Sequence, residues 1–130
     1  MPAFQTRALP DQPDVLTPDG SEVRILCQVP RGSMAHFTLH AGQISKAVQH
    51  RTVEEVWFFL AGEGEMWRQD DTGEEIVQVR QGTSISIPTG TRFQFRCTSD
   101  DALKAVGVTM PPWPGEDEAL FVEGCWPPSA

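Results

Sequence analysis

An all-β fold is what this chain predicts, on three observations. Short runs in which apolar and polar residues alternate recur along its length. Eleven Gly and eleven Pro among 130 residues break those runs at close intervals, which suits many turns and few long helices. No strand-like run alternates with a helical one, so no parallel βαβ unit is expected. About eight short strands closing into a barrel or sandwich follow from this pattern. A single domain of this length buries a real core.

The elements follow in order. Residues 1–20 hold four prolines and read as an extended arm that ends in a turn at Pro18-Asp19-Gly20. Glu22 to Val29 alternates, with Val23, Ile25, Cys27 and Val29 on one face. Arg31-Gly32-Ser33 is a turn, and Ser33 to Ala41 alternates again, with Phe37 and Leu39 opposite His36, Thr38 and His40. A polar approach then leads to His50, Glu54-Glu55 and the apolar run VWFFLA. Glu65 to Arg68 and Glu74 to Arg80 are strands joined by the loop Gln69 to Gly73. Ser84 to Ile87, the strand through Phe93 and Phe95 to Cys97, and Leu103 to Thr109 complete the barrel, assigned to residues 21–110. Residues 111–130 form a tail rich in Pro and Trp, with a short helix expected over Glu116 to Val122 because its first turn is acidic. Two tryptophans and a phenylalanine are poorly placed in water, so the tail is expected to pack on the barrel or on a second subunit.

Composition excludes several functions. A net charge of −8 and a pI near 4.7 leave no clustered cations for nucleic acid or an anionic membrane surface. No apolar run approaches a membrane span, and the N-terminal residues lack the apolar region of a signal peptide. Cys27, Cys97 and Cys125 are odd in number and widely spaced, with no CxxC pair. They fit small buried thiols in a reducing cytoplasm better than a disulfide framework or a cysteine zinc site.

Two segments carry a family resemblance. Gly42 to Gly62 reads GQISKAVQHRTVEEVWFFLAG. It resembles the first cupin motif, G-x5-H-x-H-x(3,4)-E-x6-G, with His50 at the second histidine, Glu55 at the glutamate and Val48 at the first histidine position. Gly82 to Cys97 reads GTSISIPTGTRFQFRC. It resembles the second motif, G-x5-P-x-G-x2-H-x3-N, with Phe93 at the histidine and Cys97 at the asparagine. The resemblance spans about Glu22 to Thr109 and implies a double-stranded β-helix, a small jelly-roll barrel with its site in the mouth.

The site expected from this resemblance is degenerate. Cupin metals are held by three histidines and a glutamate, and only His50 and Glu55 stand at those positions here. No cofactor follows directly. A divalent metal is the alternative, held by His50 and Glu55 with a ligand borrowed from His36 or His40, whose face on the strand is open in the sequence. If His50 and Glu55 face inward, strand parity turns Val48, Trp57, Phe59, Phe93, Phe95 and Cys97 inward with them. An apolar, aromatic pocket with one polar pair results, a common recipe for small-molecule binding, unless the rings fill the barrel completely. Val56, Phe58 and Leu60 then point outward and suggest a homodimer.

Three functions stay open from these residues. The leading one is binding of a small, partly apolar molecule through His50, Glu55, Trp57, Phe59, Phe93 and Phe95. The second is a metal-dependent oxygenase or isomerase. The third is a structural or regulatory dimer with a filled barrel.

Overall fold

The computed structural model describes residues 4–16 and 19–130. Pro18, expected to open a turn with Asp19 and Gly20, lies outside the described residues, as do residues 1–3 of the expected arm. Two antiparallel sheets face each other. The first runs in the order β1 (Val15–Leu16), β2 (Glu22–Val29), β3 (Gly32–Leu39), β10 (Leu103–Met110), β5 (Glu54–Ala61) and β8 (Ser84–Ile87). The second runs β11 (Ala119–Phe121), β4 (Val48–His50), β9 (Arg92–Cys97), β6 (Glu63–Asp70) and β7 (Gly73–Arg80). This is the jelly-roll that the alternating pattern and the two motifs predict.

The core lies between the sheets and follows from period-2 alternation. On β5 the residues alternate without a break: Glu55, Trp57 and Phe59 are buried, while Glu54, Val56, Phe58 and Leu60 are exposed. Phe37, Leu39, Leu103, Ala105, Ile85 and Ile87 join them from the first sheet. Val48, Met66, Val79, Phe93, Phe95 and Cys97 meet them from the second. Gly62 shows why a motif glycine is needed: its φ is 79°, and a Cβ there would stand 2.4 Å from the carbonyl oxygen of Ala102.

Three local expectations are corrected. The alternation of β2 does not carry through, because a register shift between Ile25 and Gln28 inserts one extra residue against β3. Val23 is core, but Ile25, Gln28 and Val29 are exposed, and Ile25 and Gln28, not Cys27, border the cavity at the barrel mouth. The Gln69 to Gly73 loop is tighter than its composition suggests: Asp70 pairs with Gly73, leaving Asp71 and Thr72 to turn. The Glu116 to Val122 helix is replaced by one 3-10 turn, Glu116–Glu118, followed by β11. The exposed edge of β4 decides this, since pairing Ala119 with His50 and Phe121 with Val48 satisfies backbone groups that one helical turn leaves open.

The rest of the tail lies along the second sheet. Gln94, fully buried, donates to the carbonyls of Ser45 and Trp126 and accepts from the amides of Cys125 and Trp126. One side-chain amide thus uses both its donors and both its lone pairs to hold the tail. The Trp126 ring stacks on the Arg96 guanidinium at 4.3 Å.

Candidate functional site

Strand register brings the site together. His50 ends β4, and its backbone is held from two sides. Gly90, in the turn of the second motif, donates its amide to the His50 carbonyl, and Gln49 donates to the Gly90 carbonyl. On the other side, the Glu118 carboxylate accepts from the Thr52 hydroxyl and from the amides of Thr52 and Val53, fixing the chain just after His50. A glycine of the second motif, Gly90, therefore helps to position the histidine of the first.

Glu55 is placed by β5 and β10. Thr109 lies directly across from it in the β10–β5 register, and its hydroxyl donates to Oε2. Trp57, two residues on and therefore on the same face, donates its indole Nε1 to Oε1 at 3.0 Å. Both His50 and Glu55 are about nineteen-twentieths buried, at 5% and 4% exposure. Nδ1 of His50 stands 3.9 Å from Glu55 Oε1, too far for a hydrogen bond, and has no hydrogen-bond partner among the described residues. Its ring meets Phe93 and Trp113 edge-on, each at 5.1 Å between centroids.

These side chains line a cavity of about 310 Å³ in the barrel mouth. Phe37 and Trp57 stack at 4.7 Å on one wall. Gly107 makes that stack possible, because a Cβ there would come within 2.8 Å of both rings. Among the described residues, the lining contains Asp19 and Glu55 but neither lysine nor arginine.

Of the residues singled out in the sequence, His50, Glu55, Trp57 and Phe93 line this cavity. Phe59 and Phe95 do not. They are fully buried against Trp57 and floor the barrel beneath it. His40 is not brought to the site either. Phe37 and Leu39 take the inner face of β3, so His36, Thr38 and His40 take the outer one, where His40 bonds Glu22 at 2.7 Å. His36 is buried on that outer face, and burial, with Arg24 and Lys104 nearby, pushes it below the ordinary histidine value. Sequence reasoning missed Thr109, Trp113 and Ala119 as lining residues. Parity could have found Thr109, at the end of an alternating strand. Trp113 and Ala119 reach the cavity only through the path of the tail.

The positions that the motif resemblance assigns to metal ligands, Val48, His50, Glu55 and Phe93, all face this one cavity. Residues 35–109 match the family model described as the cupin domain. The chain belongs to the cupin family. An uncharacterised protein of Methanocaldococcus jannaschii is 28% identical over 111 residues, 82% of this chain and 86% of that one. Among solved structures, a Bacillus halodurans protein superposes with a TM-score of 0.65 at 20% identity, over 72% of this chain and 73% of its own. An oxalate decarboxylase variant from Bacillus subtilis gives 0.71 at 15% identity, over 80% of this chain but 29% of its own. At such identities the likeness is one of fold.

Cupin relatives include a decarboxylase with Mn(II) centres, so a metal is the first cofactor to weigh against these residues. They do not fit one. His50 and Glu55 supply the only imidazole and carboxylate at the four positions, and Val48 and Phe93 present hydrocarbon. No group of three or more His, Cys, Asp or Glu side chains suited to a metal occurs among the described residues. Two donors do not complete a tetrahedral or octahedral shell.

Proposed function

We propose that this cupin binds a small, partly apolar molecule in the barrel mouth, with His50 and Glu55 as its polar contacts. The observation that carries this is the cavity itself: about 310 Å³, walled by aromatic rings, with one buried polar pair converging on it. Its size stands at the lower end of small-molecule sites, and its mix of apolar wall and few polar groups is typical of them. The cavity also argues against a completely filled barrel. A reducing, cytoplasmic setting suits the chain, because Cys27, Cys97 and Cys125 are free thiols. The same proposal includes a homodimer, which the exposed Val56, Phe58 and Leu60 support.

A thermal-shift screen of small metabolites tests binding. Compounds that raise the melting temperature of the wild type are expected to lose their effect in Ala119→Phe, which fills the mouth from β11. Binding in this cavity is ruled out if no compound shifts the wild type and xenon under pressure gives no bound signal by NMR.

A further inference from the structure

We infer that the cavity selects a neutral molecule with one hydroxyl on a single-ring body, the hydroxyl oxygen bridging His50 Nδ1 and Glu55 Oε1. This rests on the cavity-binding proposal and names its ligand class. The starting point is the gap. Nδ1 and Oε1 are 3.9 Å apart, beyond direct hydrogen bonding but a span that one oxygen about 2.8 Å from each would bridge. Nδ1 is buried and has no partner among the described residues, a penalty that a bridging group removes. Oε1 already accepts from Trp57, and a carboxylate oxygen has room for a second donor.

The chemistry of the pair narrows the ligand. Glu55 is fixed by Trp57 and Thr109 as an acceptor, so the ligand must donate to it. A carboxylate ligand has no proton to give and meets the like charges of Glu55 and Asp19, with no lysine or arginine among the described lining residues to offset them. The carboxylates of Glu55 and Asp19 attract an ammonium, but it has no lone pair with which to accept from a proton on His50 Nδ1, so it satisfies only one side of the gap. A hydroxyl matches the pair: its O–H donates to Glu55, and a lone pair accepts from His50 with the proton on Nδ1. The body follows from the rings around it. Trp113 and Phe93 flank His50 edge-on, and the Phe37–Trp57 stack forms a flat apolar wall, an arrangement that suits a planar or cyclic hydrocarbon.

The test uses probes that share one ring and one carbon substituent: toluene, benzyl alcohol, benzylamine and benzoate. Each is titrated into isotope-labelled protein while the Trp57 indole N–H resonance, which reports on Glu55, is followed by NMR. Benzyl alcohol is expected to bind about tenfold more tightly than toluene, benzylamine more weakly than the alcohol, and benzoate not at all. His50→Phe keeps the ring's bulk and removes both nitrogens, so the alcohol should fall to within about twofold of toluene. Glu55→Gln keeps the shape and should also narrow the gap; it carries the comparison if His50→Phe does not fold. Toluene binding as tightly as the alcohol removes the bridge and leaves the apolar cavity standing. Benzylamine or benzoate binding most tightly overturns the neutral class. An alcohol preference that survives in both variants places the hydroxyl elsewhere and overturns the inference. No shift with any probe at millimolar concentration overturns it together with the cavity-binding proposal.

Discussion

At the residue scale, Phe93 decides what the site is not. It pairs in register with Val48 across β4 and β9, and its ring lies 5.1 Å from that of His50. A metal-binding cupin would carry nitrogens at both positions. Restoring them is therefore a direct test of this geometry. The Val48→His, Phe93→His double variant should present four donors to one cavity, at distances that must settle near 2.0–2.1 Å for zinc. Replacing a buried phenyl ring with polar nitrogens should destabilise the metal-free protein by on the order of 3 kcal/mol. Metal that binds only the native state recovers that loss, so the melting temperature should climb steeply with added zinc or nickel. The wild type should respond weakly in the same titration. A double variant that folds but ignores both metals would show that the side chains at 48 and 93 do not converge with His50 and Glu55.

At the element scale, the tail acts as a clasp on the site. Its 3-10 turn delivers Glu118 to the Thr52 and Val53 amides, and β11 then pairs with β4 beside His50. Burial pushes the Glu118 carboxyl up, but the hydrogen bonds from Thr52 and Val53, with the His50 imidazole nearby, outweigh it and hold it below the ordinary glutamate value. The sign of the pH effect follows. As pH falls, the unfolded chain takes up the proton first, near the ordinary value of about 4.3, while folded Glu118 still resists it. The clasp's contribution is thus complete above that value and is lost as pH falls through the lower folded value. Glu118→Gln should reduce stability near neutral pH by on the order of 1–2 kcal/mol, since charge-assisted bonds become neutral ones. Urea melts of both proteins should show that difference shrinking as the pH is taken below about 4. A difference that stays constant with pH would mean that the carboxylate charge plays no part. Because Trp113 and Ala119 flank the clasp and line the cavity, ligand affinity should fall with it.

At the scale of the whole molecule, the outer face of the first sheet is the unusual surface. Val56, Phe58 and Leu60 on β5 are exposed by 46%, 45% and 39%, which leaves nearly half of one apolar stripe in water. Register extends the stripe sideways. Val106 lies opposite Phe58 and Val108 opposite Val56 on β10, and Met34 on β3 lies opposite Val108. A second copy laid on this stripe would bury it against like surface, and the chain's charge of −8 means that apolar contact must drive the association. Phe58→Asp places a carboxylate in the middle of the stripe and should shift a dimer toward monomer by a large factor, because an unpaired charge is costly to bury. Sedimentation across micromolar concentrations reads this out. A wild type that sediments as a monomer throughout that range would remove the dimer.

What the sequence determined by itself was the fold and the inward set of β5 and β9. Period-2 alternation is a local property, so once the cupin resemblance turns His50 and Glu55 inward, parity turns Trp57, Phe59, Phe93 and Phe95 inward with them and Val56, Phe58 and Leu60 outward. That His50 and Glu55 share one site came from the motif resemblance, not from periodicity. Tertiary structure decided everything that depends on where distant segments meet. The bulge in β2 broke the alternation and set Gln28, not Cys27, beside the cavity mouth, because pairing with β3 mattered more than the local pattern. The open edge of β4 turned an expected helix into β11 and brought Trp113 and Ala119 to the cavity. The faces of His36 and His40 were settled only when Phe37 and Leu39 took the core side of β3. Whether the rings would fill the barrel also lay beyond periodicity, since a cavity depends on side-chain volumes summed across both sheets and the tail.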